Sequence, residues 1–136
     1  MRRQLILLVE DNPADVGLIC EAIEREGIQA RILVLDDGDK AVRHLELLPE
    51  NPALIVLDLN LPKKSGIEVL EYIRSSDHYR KTPAILFTSS LSPAERVRVD
   101  ALGVSAFLLK SLDLIEYNRI GPAIKTALAQ PDSSNR

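Results

Sequence analysis

Tryptophan is absent from the sequence, and cysteine occurs once, at Cys20. A lone cysteine excludes an internal disulfide and a cysteine-built metal cluster. Aromatic residues make up only 4% of the chain, too few for a platform on which single-stranded nucleic acid would stack. Basic residues do not dominate either: 17 Lys and Arg stand against 20 Asp and Glu, for a net charge of -3. Neither nucleic acid nor an anionic membrane is an expected partner, because both need a broad basic face. No apolar run approaches the ~20 residues that a membrane helix requires. Arg2-Arg3 ahead of Leu5 to Val9 faintly resembles a secretory signal, but the run is short and ends in Glu10-Asp11-Asn12 rather than at a small-residue cleavage site. A reducing, cytoplasmic setting is the expectation. The six glycines form neither a dinucleotide fingerprint nor a phosphate-cradling loop, so nucleotide binding is not expected.

What the sequence does have is the balance of one ordinary globular domain, 46% hydrophobic and 27% charged over 136 residues. A domain over residues 1–130 and a disordered tail over 131–136 are expected. Five short runs rich in Leu, Ile and Val punctuate it: Leu5 to Val9, Arg31 to Leu35, Leu54 to Leu57, Ala84 to Phe87 and Ala106 to Leu109. Apolar runs without alternation read as strands buried on both faces. Between them lie helical patterns. Val16, Ile19, Cys20 and Ile23 share one face, and Gly27 ends that helix. Asp37 caps a second helix with Ala41, Val42, Leu45 and Leu48 inward; a third runs from about Gly66. Ser92-Pro93 opens a fourth, with Glu95 at capping-box spacing and Gly103 at its end. Gly121-Pro122 interrupts the last pattern, which predicts a turn or short helix and then a helix from near Pro122. Strands joined by helical crossovers are parallel and right-handed, which makes the fold a doubly wound α/β sheet with helices on both faces.

In such a sheet, ligands bind beyond the carboxyl ends of the strands. Glu10 and Asp11 follow the first strand, Asp58 the third, Thr88, Ser89 and Ser90 the fourth, and Lys110 the fifth. If the first and third strands are neighbours, three carboxylates crowd together and repel. A hard divalent cation relieves that repulsion, and Mg2+ suits a site with few carboxylates and an incoming phosphoryl oxygen. A carboxylate beside such a cation is a nucleophile towards phosphorus, and Lys110 with Thr88 supplies a cation and a hydroxyl for the phosphoryl oxygens. The set is complete for making and holding an aspartyl phosphate.

These residues resemble the receiver domain of two-component response regulators over roughly residues 4 to 129. The stretches Leu8-Val9-Glu10-Asp11-Asn12-Pro13-Ala14-Asp15 and Asp58-Leu59-Asn60-Leu61-Pro62-Lys63-Lys64-Ser65-Gly66 are especially similar to stand-alone receivers that partner bacterial phytochromes. The resemblance implies a flavodoxin-like strand order 2-1-3-4-5 and a phosphorelay protein without an output domain of its own. Asp58 would accept phosphate from a sensor histidine kinase, a phytochrome in the nearest group. Asp11, Asp58 and the backbone carbonyl of Asn60 would bind Mg2+, with Glu10 acting through water. Lys110 would pair with the phosphoryl group, Thr88 would be the switch hydroxyl and Phe107 the switch aromatic. Phe107 lacks a tyrosine hydroxyl, so its inward and outward states would differ by packing alone. Ser111 stands where the family usually has a cis-proline, which leaves the Lys110–Ser111 bond geometry open. Leu112, Leu114, Ile115, Tyr117 and Ile120 either cover the sheet or leave an exposed patch that mediates a homodimer.

Two other functions compete. An aspartate-nucleophile phosphohydrolase generally carries a second Asp two residues after the nucleophile, where this chain has Asn60. A pseudo-receiver that binds partners without phosphorylation would not need the full acidic set. His44 reads as a surface or half-buried helix residue, Cys20 as a small core residue, and Ser75 to Lys81, with His78, as a solvated loop. Lys63-Lys64 reads first as a solvated loop, with an acidic partner surface as the alternative.

Overall fold

The computed structural model describes residues 3–47, 49–110 and 118–129. Five strands, β1 (Gln4–Val9), β2 (Ala30–Leu35), β3 (Leu54–Leu57), β4 (Ala84–Thr88) and β5 (Ala106–Leu109), alternate with helices α1 (Pro13–Arg25), α2 (Gly38–Glu46), α3 (Gly66–Ser75), α4 (Pro93–Leu102) and α5 (Ile120–Ala129). All pairings are parallel and the strand order is β2-β1-β3-β4-β5, as expected. Every residue of β3 and β4 is buried, whereas edge strands β2 and β5 are only partly so. Successive strand residues point to opposite faces. Leu7 and Val9 of β1 therefore enter the core shared with α2, α3 and α4, while Ile6 and Leu8 enter the one shared with α1 and α5.

Local chemistry starts each helix. Asn12 caps α1, its side chain accepting from Ala14 N–H at 2.9 Å. Asp37 caps α2 through Lys40 N–H at 2.7 Å. Ser65 with Glu68, and Ser92 with Glu95, form reciprocal capping boxes at α3 and α4. Gly27 and Gly103 take positive φ of 71° and 83° after α1 and α4, a conformation that suits glycine. The last helix departs slightly from expectation, starting at Ile120, two residues before Pro122. Pro122 lies in its first turn, where a missing N–H breaks nothing; the first hydrogen bond runs from Ala123 N–H to Arg119 O at 3.1 Å. Gly121 lets this turn approach α1, since a Cβ there would stand 2.9 Å from Glu26 Cγ.

Ile120 is fully buried against the sheet, so it does not belong to an exposed patch. Leu48, the rest of that patch (Leu112, Leu114, Ile115, Tyr117), Ser111 and the tail lie outside the described residues. The Ser75 to Lys81 stretch is not uniformly solvated: His78 is exposed, but Tyr79 is buried and its hydroxyl donates to Leu45 O at 2.8 Å. His44 and Cys20 are half-buried. Among the described residues no helix is long and apolar enough to cross a membrane.

Candidate functional site

Strand register assembles the site. Val9 pairs with Leu57, so β1 and β3 end level. Asp58 N–H continues that ladder to Val9 O at 3.1 Å, and Glu10 N–H bonds Leu35 O at 3.0 Å. On the other side Thr88 pairs with Leu109, and Lys110 N–H reaches Thr88 O at 2.7 Å. The backbone ladder alone thus places the residues that follow four strands at one edge of the sheet.

The expected cluster forms there. Glu10, Asp11 and Asp58 each offer a carboxylate oxygen, and these oxygens lie within 4.8 Å of one another. Glu10 and Asp58 are buried and Asp11 is exposed. Three hard oxygen donors open to solvent on one side fit a divalent cation such as Mg2+. The Lys110 ammonium lies 2.8 Å from Asp58 Oδ2 and 2.8 Å from Glu10 Oε1. Glu10 also accepts Asn12 N–H at 3.1 Å. Burial pushes the Glu10 carboxyl up to about 7, against the pull of the Lys110 ammonium. Burial works against the charge of Lys110, but its hydrogen bonds to Asp15, Asp58 and Glu10 outweigh it and hold its pKa above the ordinary value.

Asp15 is the site residue that sequence reasoning missed. It lies in the first turn of α1, buried, with Oδ2 2.8 Å from the Lys110 ammonium. A signal existed: Asp15 shares the inward stripe of α1 with Ile19, Ala22 and Ile23. Gly66 was read only as a helix start. A Cβ there would stand 2.2 Å from Asp58 O, so glycine lets α3 begin against the backbone of Asp58 itself.

Asn60 links the two halves of the site. Its N–H donates to Asp58 Oδ1 at 3.1 Å, and its side-chain amide donates to Thr88 Oγ1 at 3.1 Å and more weakly to Ser89 and Ser90 Oγ at 3.4 Å. Thr88 is fully buried, and its hydroxyl donates to Ser90 O at 3.4 Å. Thr88 thus meets Asp58 through Asn60. Phe107 is half-buried with the Arg96 guanidinium 5.0 Å above its ring. A cation–π contact therefore adds to the packing that holds Phe107 in this position.

The chain is similar to known proteins over most of its length. Residues 6–119 match the model of the response regulator receiver domain family. The chain is 38% identical over 125 residues to the probable methanogenesis regulatory protein FilR2 of Methanothrix harundinacea, covering 89% of this chain and 81% of that protein. It is 36% identical over 128 residues to response regulator Rcp1 of Synechocystis, covering 90% and 87%. The Mn2+-bound structure of Rcp1 superposes with a TM-score of 0.81 at 33% identity, covering 90% of this chain and 92% of that one. The phosphorylated cyanobacterial phytochrome response regulator RcpA also superposes with a TM-score of 0.81 at 33% identity, covering 91% and 92%.

Proposed function

The chain belongs to the response regulator receiver domain family, and from that premise we propose that Asp58 is its phosphoacceptor in a phosphorelay. The observation that carries this reading is the Lys110 ammonium 2.8 Å from Asp58 Oδ2 beside the Glu10, Asp11 and Asp58 oxygens. An oxygen of Asp58 forms the new O–P bond while the donor's P–N bond breaks and its electron pair leaves with the imidazole nitrogen of a kinase phosphohistidine. Glu10, Asp11 and Asp58, with the carbonyl of Asn60, would hold Mg2+. Bound there, the ion offsets the carboxylate and phosphoryl charge. Lys110 supplies a fixed positive charge to the phosphoryl oxygens.

The output is a change of surface. A phosphoryl group competes for the Thr88 hydroxyl, which now bonds Ser90 O and receives the Asn60 amide. Drawing Thr88 inward moves the loop to α4 and frees Phe107 to leave the Arg96 guanidinium, which now covers its ring, and repack. The similarity to the cyanobacterial phytochrome response regulator RcpA supports a sensor histidine kinase of the phytochrome type as the phosphodonor. Such a domain is a signalling module rather than a classical enzyme.

Incubation with phosphoramidate and Mg2+, followed by intact mass, tests the reading. One added phosphoryl group per chain is expected in the natural protein and none in Asp58→Asn. Equal labelling of both proteins would refute it.

A further inference from the structure

An ammonium has three N–H donors. The Lys110 nitrogen lies 2.8 Å from each of three carboxylate oxygens, on Glu10, Asp15 and Asp58. Two of those acceptors have other work in the reading above: Asp58 takes the phosphoryl group, and Glu10 belongs to the oxygen cluster that suits a metal ion. Asp15 is outside that cluster. Nor is it a solvated companion of the α1 N-terminus, because it is only 6% exposed. A buried carboxylate needs a partner, and Lys110 is the cation beside it.

We infer that Asp15 is a positioning residue for phosphoryl transfer, anchoring the Lys110 ammonium through a carboxylate that does not itself react. The inference rests on Asp58 being the phosphoacceptor. Once the O–P bond forms, the Asp58 oxygen no longer presents a full negative charge to Lys110, and the N–H that faced it turns to a phosphoryl oxygen. Lysine is a point charge on a flexible four-carbon stem, and it stays in place only if something else holds it. Asp15 is the acceptor whose bond need not change. It comes from α1, whereas Lys110 follows β5, so the pair also fixes the first helix relative to the edge strand.

The test is a double-mutant cycle on the rate of phosphorylation by phosphoramidate at saturating Mg2+. In that reaction an Asp58 oxygen forms the O–P bond, the P–N bond breaks, and ammonia leaves with the bonding pair. Asp15→Asn keeps the shape and removes the charge. It is expected to slow the reaction about tenfold, the scale of loss when a group that orients a directly acting residue is removed. In a Lys110→Ala background the same substitution should change the rate by less than about twofold, because the two residues act as one unit. Wild-type speed in Asp15→Asn, or equal slowing in both backgrounds, overturns the inference. A purely structural role would lower the unfolding midpoint without this dependence on Lys110. Should Asp15→Asn fail to fold, a crystal structure of the natural protein with Mg2+ and beryllofluoride decides: Asp15 is expected within hydrogen-bond reach of the Lys110 ammonium, and a separated pair overturns the inference. If the natural protein takes up no phosphoryl group, the proposed function falls and takes this inference with it. A phosphorylated natural protein matched in rate by Asp15→Asn overturns the inference alone.

Discussion

Helices α3 and α4 are neighbours of equal length, 10 residues each, and both start with the same device, a serine and glutamate capping box. Their burial is opposite. Gly66, Ile67, Val69, Leu70 and Ile73 of α3 are buried, whereas α4 buries Val99 alone and leaves Val97 69% exposed. A cap fixes where a helix begins and contributes about 1 kcal/mol, but it does not decide how firmly the helix is held. Buried apolar area decides that. Helix α3 begins against the backbone of Asp58, the proposed phosphoacceptor, and α4 follows the strand that carries Thr88. The firmly packed helix therefore stands behind the group that must stay in place, and the loosely packed one behind the group proposed to move. Inverting a 1:99 population takes about 5.5 kcal/mol, a feasible demand on an element with so little to unpack.

The strongest way to break this comparison is to truncate one buried side chain in each helix. Leu70→Ala is expected to lower unfolding stability by about 3 kcal/mol, within the range for buried leucine. Val99→Ala should lose about 2 kcal/mol, from fewer deleted methyl groups plus a smaller cavity. Urea titration reads both values. Amide exchange carries the sharper contrast: Val99→Ala should accelerate exchange within α4 and leave α3 protected, whereas Leu70→Ala should accelerate both. Uniform acceleration by Val99→Ala would mean that α4 unfolds only with the whole domain.

Glycine substitutions sharpen the same contrast at the helix ends. An alanine Cβ at Gly66 would meet Asp58 O at 2.2 Å, so Gly66→Ala has to push α3 away from the backbone of Asp58. Overpacking of this kind typically costs about 1–3 kcal/mol, and here it should also slow Asp58 phosphorylation. At Gly103 nothing lies near a Cβ, but φ is 83°. Gly103→Ala should cost about 2 kcal/mol of backbone strain, because its ψ of 126° lies outside the left-handed helical well, and leave phosphorylation at its natural rate. The pair fails if Gly103→Ala disturbs phosphorylation as much as Gly66→Ala does.

Much of this was legible in the chain. Asp58, Thr88 and Lys110 could be placed because they follow apolar runs, and a parallel sheet puts all such positions at one edge. The looseness of α4 was also readable, since Glu95, Arg96, Arg98 and Asp100 leave it little apolar surface to bury. Asp15 carried only a weak signal, because an acid in a first turn is ordinarily a partner of the helix dipole, and one acid on the inward stripe of α1 does not name a lysine 95 positions away as its partner. The bond from the Asn60 amide to Thr88 was beyond reach for another reason: it joins a loop to the end of a strand 28 residues away, and no periodicity encodes how such a loop turns. The close approach of Gly66 to Asp58 likewise depends on how a helix is seated, which spacing does not specify.

The smallest expected effect concerns the ion pair between Arg98 of α4 and Glu71 of α3. It crosses between the two helices and could be taken as a clamp that makes up for the thin packing of α4. Physical reasoning points the other way. The two side chains are 52% and 44% exposed, so water and salt screen their attraction, and ordering two long side chains opposes it. A double-mutant cycle on Arg98→Ala and Glu71→Ala should give a coupling of about 0.5 kcal/mol or less, shrinking further in high salt. What holds the far end of α4 is Arg74 of α3, whose guanidinium donates to Leu102 O at 3.1 Å and Gly103 O at 3.0 Å, and also to Arg80 O at 3.1 Å and Thr82 O at 2.7 Å. These bonds tie the carboxyl end of α4 and leave its amino end, next to Thr88, free of them. A coupling well above 1 kcal/mol between Arg98 and Glu71 would show that α4 is pinned along its length by charge, and the contrast between a fixed helix and a yielding one would have to be abandoned.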